Sequence, residues 1–334
     1  MNQLCRNVAG SSLAPRGSAV CMGAFDGVHL GHRAVLSHVA ARSAQRDLMP
    51  VAISFDPIPR AYFAPETGCP QLSSVREKVA ALFDAGMCKV LLLRFNKQLA
   101  AMAPQDFVET VLVKRLAIRE IWVGTGFRFG HQRAGDVEML RALGSQFGFD
   151  VEITPTVEID GERISSSCIR SLLAVGDFDA SARLLGRRFA IGGHVVYGRQ
   201  LGRRLGYPTA NLRLGRRAAP VGGIFAVRVH GVGANVRPGV ASLGVRPTVN
   251  GTEPLLEAHL FDFDGDLYGK RIQVEFVTKL RDEEKFDNLD AMVKQIDRDA
   301  AQAREILETL APERCSGRGL GEGAELKCVG TSRN

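Results

Sequence analysis

The chain has 334 residues, a formal net charge of +7, 45% hydrophobic and 24% charged residues, which is enough material for two cores and too balanced a composition for a disordered chain. No apolar run is long enough to span a bilayer, the first residues lack a secretory signal, and the seven cysteines form no CxxC pair or Cys/His cluster. A cytoplasmic protein with reduced thiols and no membrane partner is expected. The positive charge comes with no nucleic-acid-binding module, so no nucleic-acid partner is expected either.

In chain order, the apolar run 18–22 reads as a strand and leads into GAFDGVHLGH, residues 23–32. Val35, Leu36, Val39 and Ala40 then recur at helical spacing, which makes the unit a strand, a glycine turn and a helix. The N-terminus of such a helix presents unpaired N–H groups and a positive dipole end, so an anion, and phosphate above all, is favoured there. His29 and His32, three residues apart, stand at its mouth as donors to phosphate oxygens. The segment resembles the HxGH nucleotidyltransferase superfamily, and with Phe25, Asp26 and Gly27 before His29 it resembles the adenylyltransferase module of the bacterial riboflavin kinase/FAD synthetase family. That resemblance implies a Rossmann-like domain in which Gly23, Phe25, Asp26 and Gly31 contact nucleotide. It also implies that His29 and His32 stabilise the transition state of attack on the α-phosphate of ATP.

Strands at 50–55, 89–93, 120–124 and 150–154 alternate with helices at 73–85, 105–117 and 136–147. This pattern predicts a parallel, doubly wound sheet with ligands at the carboxyl ends of its strands. Three strand-end loops stand out. FDPIPRAYF, residues 55–63, reads as a proline-stiffened, extended surface loop. By resemblance it is the family's second motif, near the flavin, which nominates Phe55 and Pro57. GTGFRFGHQRAGD, residues 124–136, resembles the family's GxDFxFG or GxNFxFG loop and nominates Phe127, but position 126 is Gly where a polar residue is usual. RISSSCIR, residues 163–170, resembles the ISSTxIR motif, with Ser167 in place of Thr. By that match Arg163, Ser166, Ser167 and Arg170 hold the ATP phosphates, as guanidinium forks and hydroxyls at a helix start can do.

Beyond a helical 177–186, the pattern changes to short strands near 189–196, 224–229, 239–245, 255–263 and 271–277. They read as a small antiparallel barrel or sandwich. A helix at 288–310 carries one apolar stripe: Leu289, Met292, Val293, Ile296, Ala300, Ala303, Ile306, Leu307 and Leu310. GRQLGRRLGYPTAN, residues 198–211, is no Walker A, since no GK[ST] follows. Gly198, Gly202 and Gly206 let backbone close round phosphate, Pro208 holds the next residues extended, and Thr209 and Asn211 offer neutral oxygens suited to Mg²⁺. The stretch resembles the riboflavin kinase signature, as do 239–251 and 256–286. By that resemblance the second fold is a barrel closed by the C-terminal helix, Glu257 is the general base, and Arg281 touches flavin or phosphate.

The resemblance therefore implies residues 1–186 as an FMN adenylyltransferase domain and 187–311 as a riboflavin kinase domain, while 312–334, glycine-rich and without periodicity, is expected to be a disordered tail. ATP, riboflavin, FMN and FAD are the implied small-molecule substrates and products, with Mg²⁺ as cofactor. A monofunctional riboflavin kinase with an impaired N-terminal half, motivated by Gly126, and a non-catalytic flavin-binding regulator are the alternatives, and oligomeric state is left open.

Overall fold

The computed structural model describes residues 2–64, 69–154, 156–159, 161–198, 202, 205–215, 218–248, 251–310 and 327–329. By its internal contacts the chain forms two compact units, one of Met1–Cys69, Ser73–Ser165 and Ala324–Asn334, the other of Pro70–Leu72 and Ser166–Gly323.

The first unit follows the predicted alternation. Its elements are β1 (Gln3–Cys5), β2 (Ser18–Met22), α1 (Leu30–Gln45), β3 (Met49–Asp56), α2 (Pro59–Phe63), α3 (Val75–Asp84), β4 (Lys89–Arg94), α4 (Lys97–Ala100), α5 (Pro104–Phe107), β5 (Ile118–Val123), α6 (Val137–Phe147) and β6 (Asp150–Ile153). The strands form one sheet in the order β1-β4-β3-β2-β5-β6, every pairing parallel. All five residues of β2 are buried, as expected of a central strand covered on both faces. Two apolar clusters cover the sheet, one containing Val20, Ile53, Leu112 and Leu140, the other Cys21, Leu36, Val39 and Leu82.

Three elements differ from the sequence reading. The loop at 55–63 is not extended throughout: Pro59–Phe63 is a helix with proline in its first turn, where the missing N–H costs nothing. The helix expected at 105–117 is α-helical only over Pro104–Phe107 and continues as a π-helix over Val108–Arg115. A small sheet also follows β6, made of β7 (Thr156–Ile159), β8 (Glu162–Arg163) and, from the tail expected to be disordered, β15 (Lys327–Val329), which pairs antiparallel with the β7 edge. An open strand edge is a template for such addition. Residues 311–326 and 330–334 of that tail lie outside the described residues.

The second unit opens with α7 (Ser166–Val175) and α8 (Phe178–Leu185). Six strands follow: β9 (Ala190–Val196), β10 (Ala210–Arg213), β11 (Gly223–His230), β12 (Arg237–Thr248), β13 (Gly251–Leu260) and β14 (Arg271–Arg281). They close into a barrel in the order β10-β13-β12-β11-β14-β9, all antiparallel. The contacts thus assign 166–186 to the barrel unit, ahead of the expected boundary at 186. Packing gives the reason, since the Phe178 ring of α8 meets Phe225 at 5.8 Å and Phe276 at 6.1 Å, and both are barrel residues. The long helix α9 (Leu289–Thr309), capped by the Asn288 side chain, lies on the barrel wall through Ala300, Ala303 and Leu307, against Ala226, Val240 and Val277. Its predicted stripe is corrected at both ends, where Leu289 and Leu310 are exposed. The stripe also gains a charged member, because Asp299 is buried.

Candidate active site

In the first unit, the chain leaves β2 through a turn held in a strained shape. Phe25 and Val28 have φ of 47° and 40°, and Gly27 of 84°; for non-glycine residues the left-handed region costs about 1–3 kcal/mol each. Gly23 donates its N–H to Ile53 O at 3.1 Å, and a Cβ there would meet the Phe25 ring at 3.3 Å. Buried Asp26 accepts from Ser73 N at 3.1 Å, and Ser73 Oγ in turn accepts from Gly27 N at 3.1 Å.

His29 is the N-cap of α1, its Nδ1 accepting from His32 N at 3.3 Å, so the remaining proton of the neutral ring sits on Nε2. The two imidazoles stack at 3.7 Å, and Phe25 meets His32 edge-on at 5.2 Å. Gly31 makes room for this pair, since a Cβ there would press on His29 Nδ1 at 3.2 Å. Burial lowers the His32 pKa to about 4, and its Nδ1 is a buried atom with no hydrogen-bond partner among the described residues. The structure thus brings Gly23, Phe25, Asp26, His29, Gly31 and His32 into one turn at a helix N-terminus, where an anion is favoured.

Phe55 and Pro57 follow at the end of β3, the Asp56–Pro57 peptide being cis. Phe55 belongs to an aromatic group with Tyr62, Phe63 and Phe95 at centroid distances of 5.2–5.8 Å. Phe95, at the end of β4, went unnoticed in the sequence. Phe127 stacks on Phe129 at 5.5 Å. At Gly126 a Cβ would meet nothing within 4 Å, and no positive φ restrains it. Gly126→Asn is therefore expected to leave stability unchanged. If this loop meets a ligand, as the sequence resemblance implies, the amide is expected to supply a hydrogen bond worth about 0.5–1.5 kcal/mol, raising kcat/KM for the implied adenylyl transfer roughly 2- to 10-fold, measured by pyrophosphate release.

Arg163 lies exposed on β8, whereas Ser166, Ser167 and Arg170 belong to α7 and so to the second unit. Arg170 Nε donates to Pro70 O at 2.6 Å within that unit.

In the second unit, alternation along the strands makes the site. Ala210, Leu212, Leu256 and Ala258 are buried in the barrel, so Thr209, Asn211, Glu257 and His259 project from the opposite face of β10, the segment before it, and β13. Asn211 and Glu257 sit directly opposite each other in the β10–β13 ladder. Glu257, His259, Thr209 and Tyr207 line a cavity of about 730 Å³, whose apolar wall includes Met292 and Ile296 of α9. Thr209 also lines a second cavity of about 580 Å³, shared with Pro208, Asn211, Asp264, Asp266 and the stacked pair Tyr197 and Tyr268.

The glycines have physical roles here. A Cβ at Gly198 would collide with the Asn211 amide at 2.6 Å, one at Gly202 with Tyr207 O at 2.3 Å, and Gly206 has φ 84°. Asn211 Nδ2 donates to Thr209 O at 3.2 Å, which leaves the buried Oδ1 with no partner among the described residues. His259 Nδ1 donates to Pro208 O at 2.9 Å, and Tyr207 donates its hydroxyl to Asp297 of α9. Burial, with Asp297 adding to it, pushes the Tyr207 pKa up to about 12.

Arg281 also lines the larger cavity, as does Asp299, with which its guanidinium is paired. Nε and Nη2 reach the Asp299 carboxylate at 2.8–3.1 Å and Nη1 reaches Asp282 O at 3.0 Å. Arg281→Ala would strand a buried carboxylate. The expected cost is about 3–5 kcal/mol of barrel stability, read from urea or thermal unfolding.

A glycine-rich HxGH turn at a helix N-terminus on a parallel sheet, followed by a six-stranded antiparallel barrel with two cavities on its polar face, has the features of an enzyme of nucleotide phosphates. A family model for FAD synthetase matches residues 11–168 and one for riboflavin kinase matches 185–307. The bifunctional riboflavin kinase/FMN adenylyltransferase of Escherichia coli (strain K12) is 42% identical over 311 residues, covering 93% of this chain and 99% of that one. That of Pseudomonas fluorescens is 42% identical over 305 residues, covering 91% and 97%. A solved structure from Streptococcus pneumoniae, described as a macrolide-efflux protein, superposes with a TM-score of 0.72 at 29% identity over 91% of this chain and 98% of that one. Among the described residues no helix is long and apolar enough to cross a membrane. The chain belongs to the bifunctional riboflavin kinase/FMN adenylyltransferase family, and it carries both activities, ATP-dependent formation of FMN from riboflavin and of FAD from FMN.

Proposed function

We propose that the two reactions are divided between the two sites described. In the second unit, Glu257 takes the proton of the riboflavin 5′-hydroxyl as that oxygen attacks the γ-phosphorus of ATP, and the bond to the β-phosphate oxygen breaks to release ADP. In the first, a phosphate oxygen of FMN attacks the α-phosphorus of a second ATP and pyrophosphate leaves. His29 and His32 donate to the oxygens on which charge builds, without forming a covalent intermediate. Support comes from the buried polar atom that each site leaves without a partner, His32 Nδ1 in one and Asn211 Oδ1 in the other.

Asn211 Oδ1 and the hydroxyl of Thr209, which lines the same cavity, have the neutral oxygen chemistry that Mg²⁺ accepts when phosphates and water complete its shell. When bound, the ion neutralises charge on the transferred phosphoryl group. The larger cavity, with its apolar Met292 and Ile296 wall, suits the isoalloxazine. The smaller one, with acidic and aromatic walls, suits the magnesium nucleotide. A cytoplasmic location is part of the proposal, in keeping with the free thiols of Cys5, Cys21 and Cys88.

Incubating the protein with riboflavin, ATP and Mg²⁺ and following the flavins chromatographically tests the division. FMN should rise and then fall into FAD, while ADP and pyrophosphate accumulate. FMN as the sole end product would remove the first site from the scheme.

A further inference from the structure

The strained turn at 24–28 needs something to hold it, and part of what holds it was not anticipated from the motif. Lys78, in the first turns of α3, is 4% exposed. Its Nζ donates to Phe55 O at 2.8 Å and to Ala24 O at 3.3 Å. Ala24 O also accepts from Ser54 Oγ at 3.1 Å. The Ala24 carbonyl belongs to the peptide plane whose rotation sets φ of Phe25, so fixing that oxygen fixes the left-handed conformation one residue later.

The same segment grips the turn again two residues on, where Ser73 holds Asp26 and Gly27. A capping box of Ser74 and Glu77 fixes the helix start from which Lys78 reaches. Burying an ammonium against two neutral carbonyls, with no ion-pair partner among the described residues, is an expensive way to stabilise a fold. Burial lowers its pKa, while Asp26 and Asp56 nearby oppose that. An apolar side chain would fill the same space at lower cost, which points to geometry as what the lysine supplies.

We propose that Lys78 is a positioning residue for adenylyl transfer, a cross-link between the phosphate turn at Ala24 and the end of β3 at Phe55 that fixes how the two strand-end loops face each other. The proposal rests on the assignment of adenylyl transfer to the His29/His32 turn. Each loop keeps its own ligand contacts without Lys78, so what is lost is their mutual alignment, and a displacement on the order of 1 Å at a reacting centre costs roughly 10²-fold in rate.

The test uses the full chain carrying Lys78→Met. The kcat of FMN adenylylation should fall about 30- to 100-fold. Dissociation constants for FMN and for ATP, measured separately, should stay within about threefold, and riboflavin phosphorylation by the second unit should be unchanged. A kcat within about threefold of the parent, or weakened binding with kcat intact, overturns the proposal. Should Lys78→Met unfold the first unit, Ser54→Ala decides, because it removes the other donor to the same carbonyl. It should lower kcat several-fold at constant affinity, and an unchanged kcat would overturn the idea. Loss of FAD formation in the parent protein itself would instead sink the site assignment and leave no step for Lys78 to position.

Discussion

Glu257→Gln is expected to abolish the formation of FMN from riboflavin while FMN supplied to the variant is still converted to FAD. Gln keeps the shape of the side chain and its place opposite Asn211 in the β10–β13 ladder, so the barrel and its cavities are retained. What it cannot do is accept the proton of a hydroxyl nucleophile, a role typically worth about 10²–10⁴ in rate. The adenylyl step is spared because His29 and His32 belong to the other compact unit. The measurement is a pair of initial rates, ADP released with riboflavin as substrate and pyrophosphate released with FMN. Simultaneous loss of both would contradict a division of labour between two sites.

How far such sites could be read in the sequence depended on where the information lay. The HxGH turn and the PTAN stretch are contiguous, so their candidate residues could be nominated from residue order and motif resemblance. The parallel sheet was visible because its strands, buried on both faces, read as unbroken apolar runs such as residues 50–55. The small elements were not: β10 has four residues, one of them Asn211, and β1 and the β7–β8 hairpin are shorter than any usable period.

Arg281 shows a different limit. Its motif suggested a contact to flavin or phosphate and it lines the larger cavity, but its ion-pair partner, Asp299, lies eighteen residues away on α9, and pairing across elements is invisible in one sequence. Yet two of the missed residues did leave a trace. Lys78 falls on the stripe Val75, Val79, Leu82, and Asp299 on the stripe Ile296, Ala300, Ala303. A charge at a core position of an amphipathic helix must be paired or hydrogen-bonded when buried. Reading that interruption as a signal would have found both.

His32→Ala is expected to do the converse of Glu257→Gln: riboflavin is phosphorylated at the parent rate, FMN accumulates, and FAD formation falls by about 10²–10³, the usual worth of one preorganised donor to developing charge. The His32 pKa adds a second readout. Burial lowers it from 6.5 to about 4, so near neutral pH the ligand-free protein holds an uncharged ring stacked on His29. A depressed pKa means that the unfolded chain binds this proton more tightly than the folded one. The stability contributed by the neutral ring is therefore complete above pH 6.5 and lost as pH falls toward 4. His32→Ala should flatten the acid limb of the unfolding curve over that window. A bound triphosphate acts in the other sense, because its negative charge favours the imidazolium, so ATP binding near pH 6 should draw a proton from solution. Calorimetry in buffers of different ionisation enthalpy measures that uptake directly. It should be present in the parent and absent in His32→Ala, and an equal uptake in both would show that the proton, and with it the phosphate-facing charge, resides on another group.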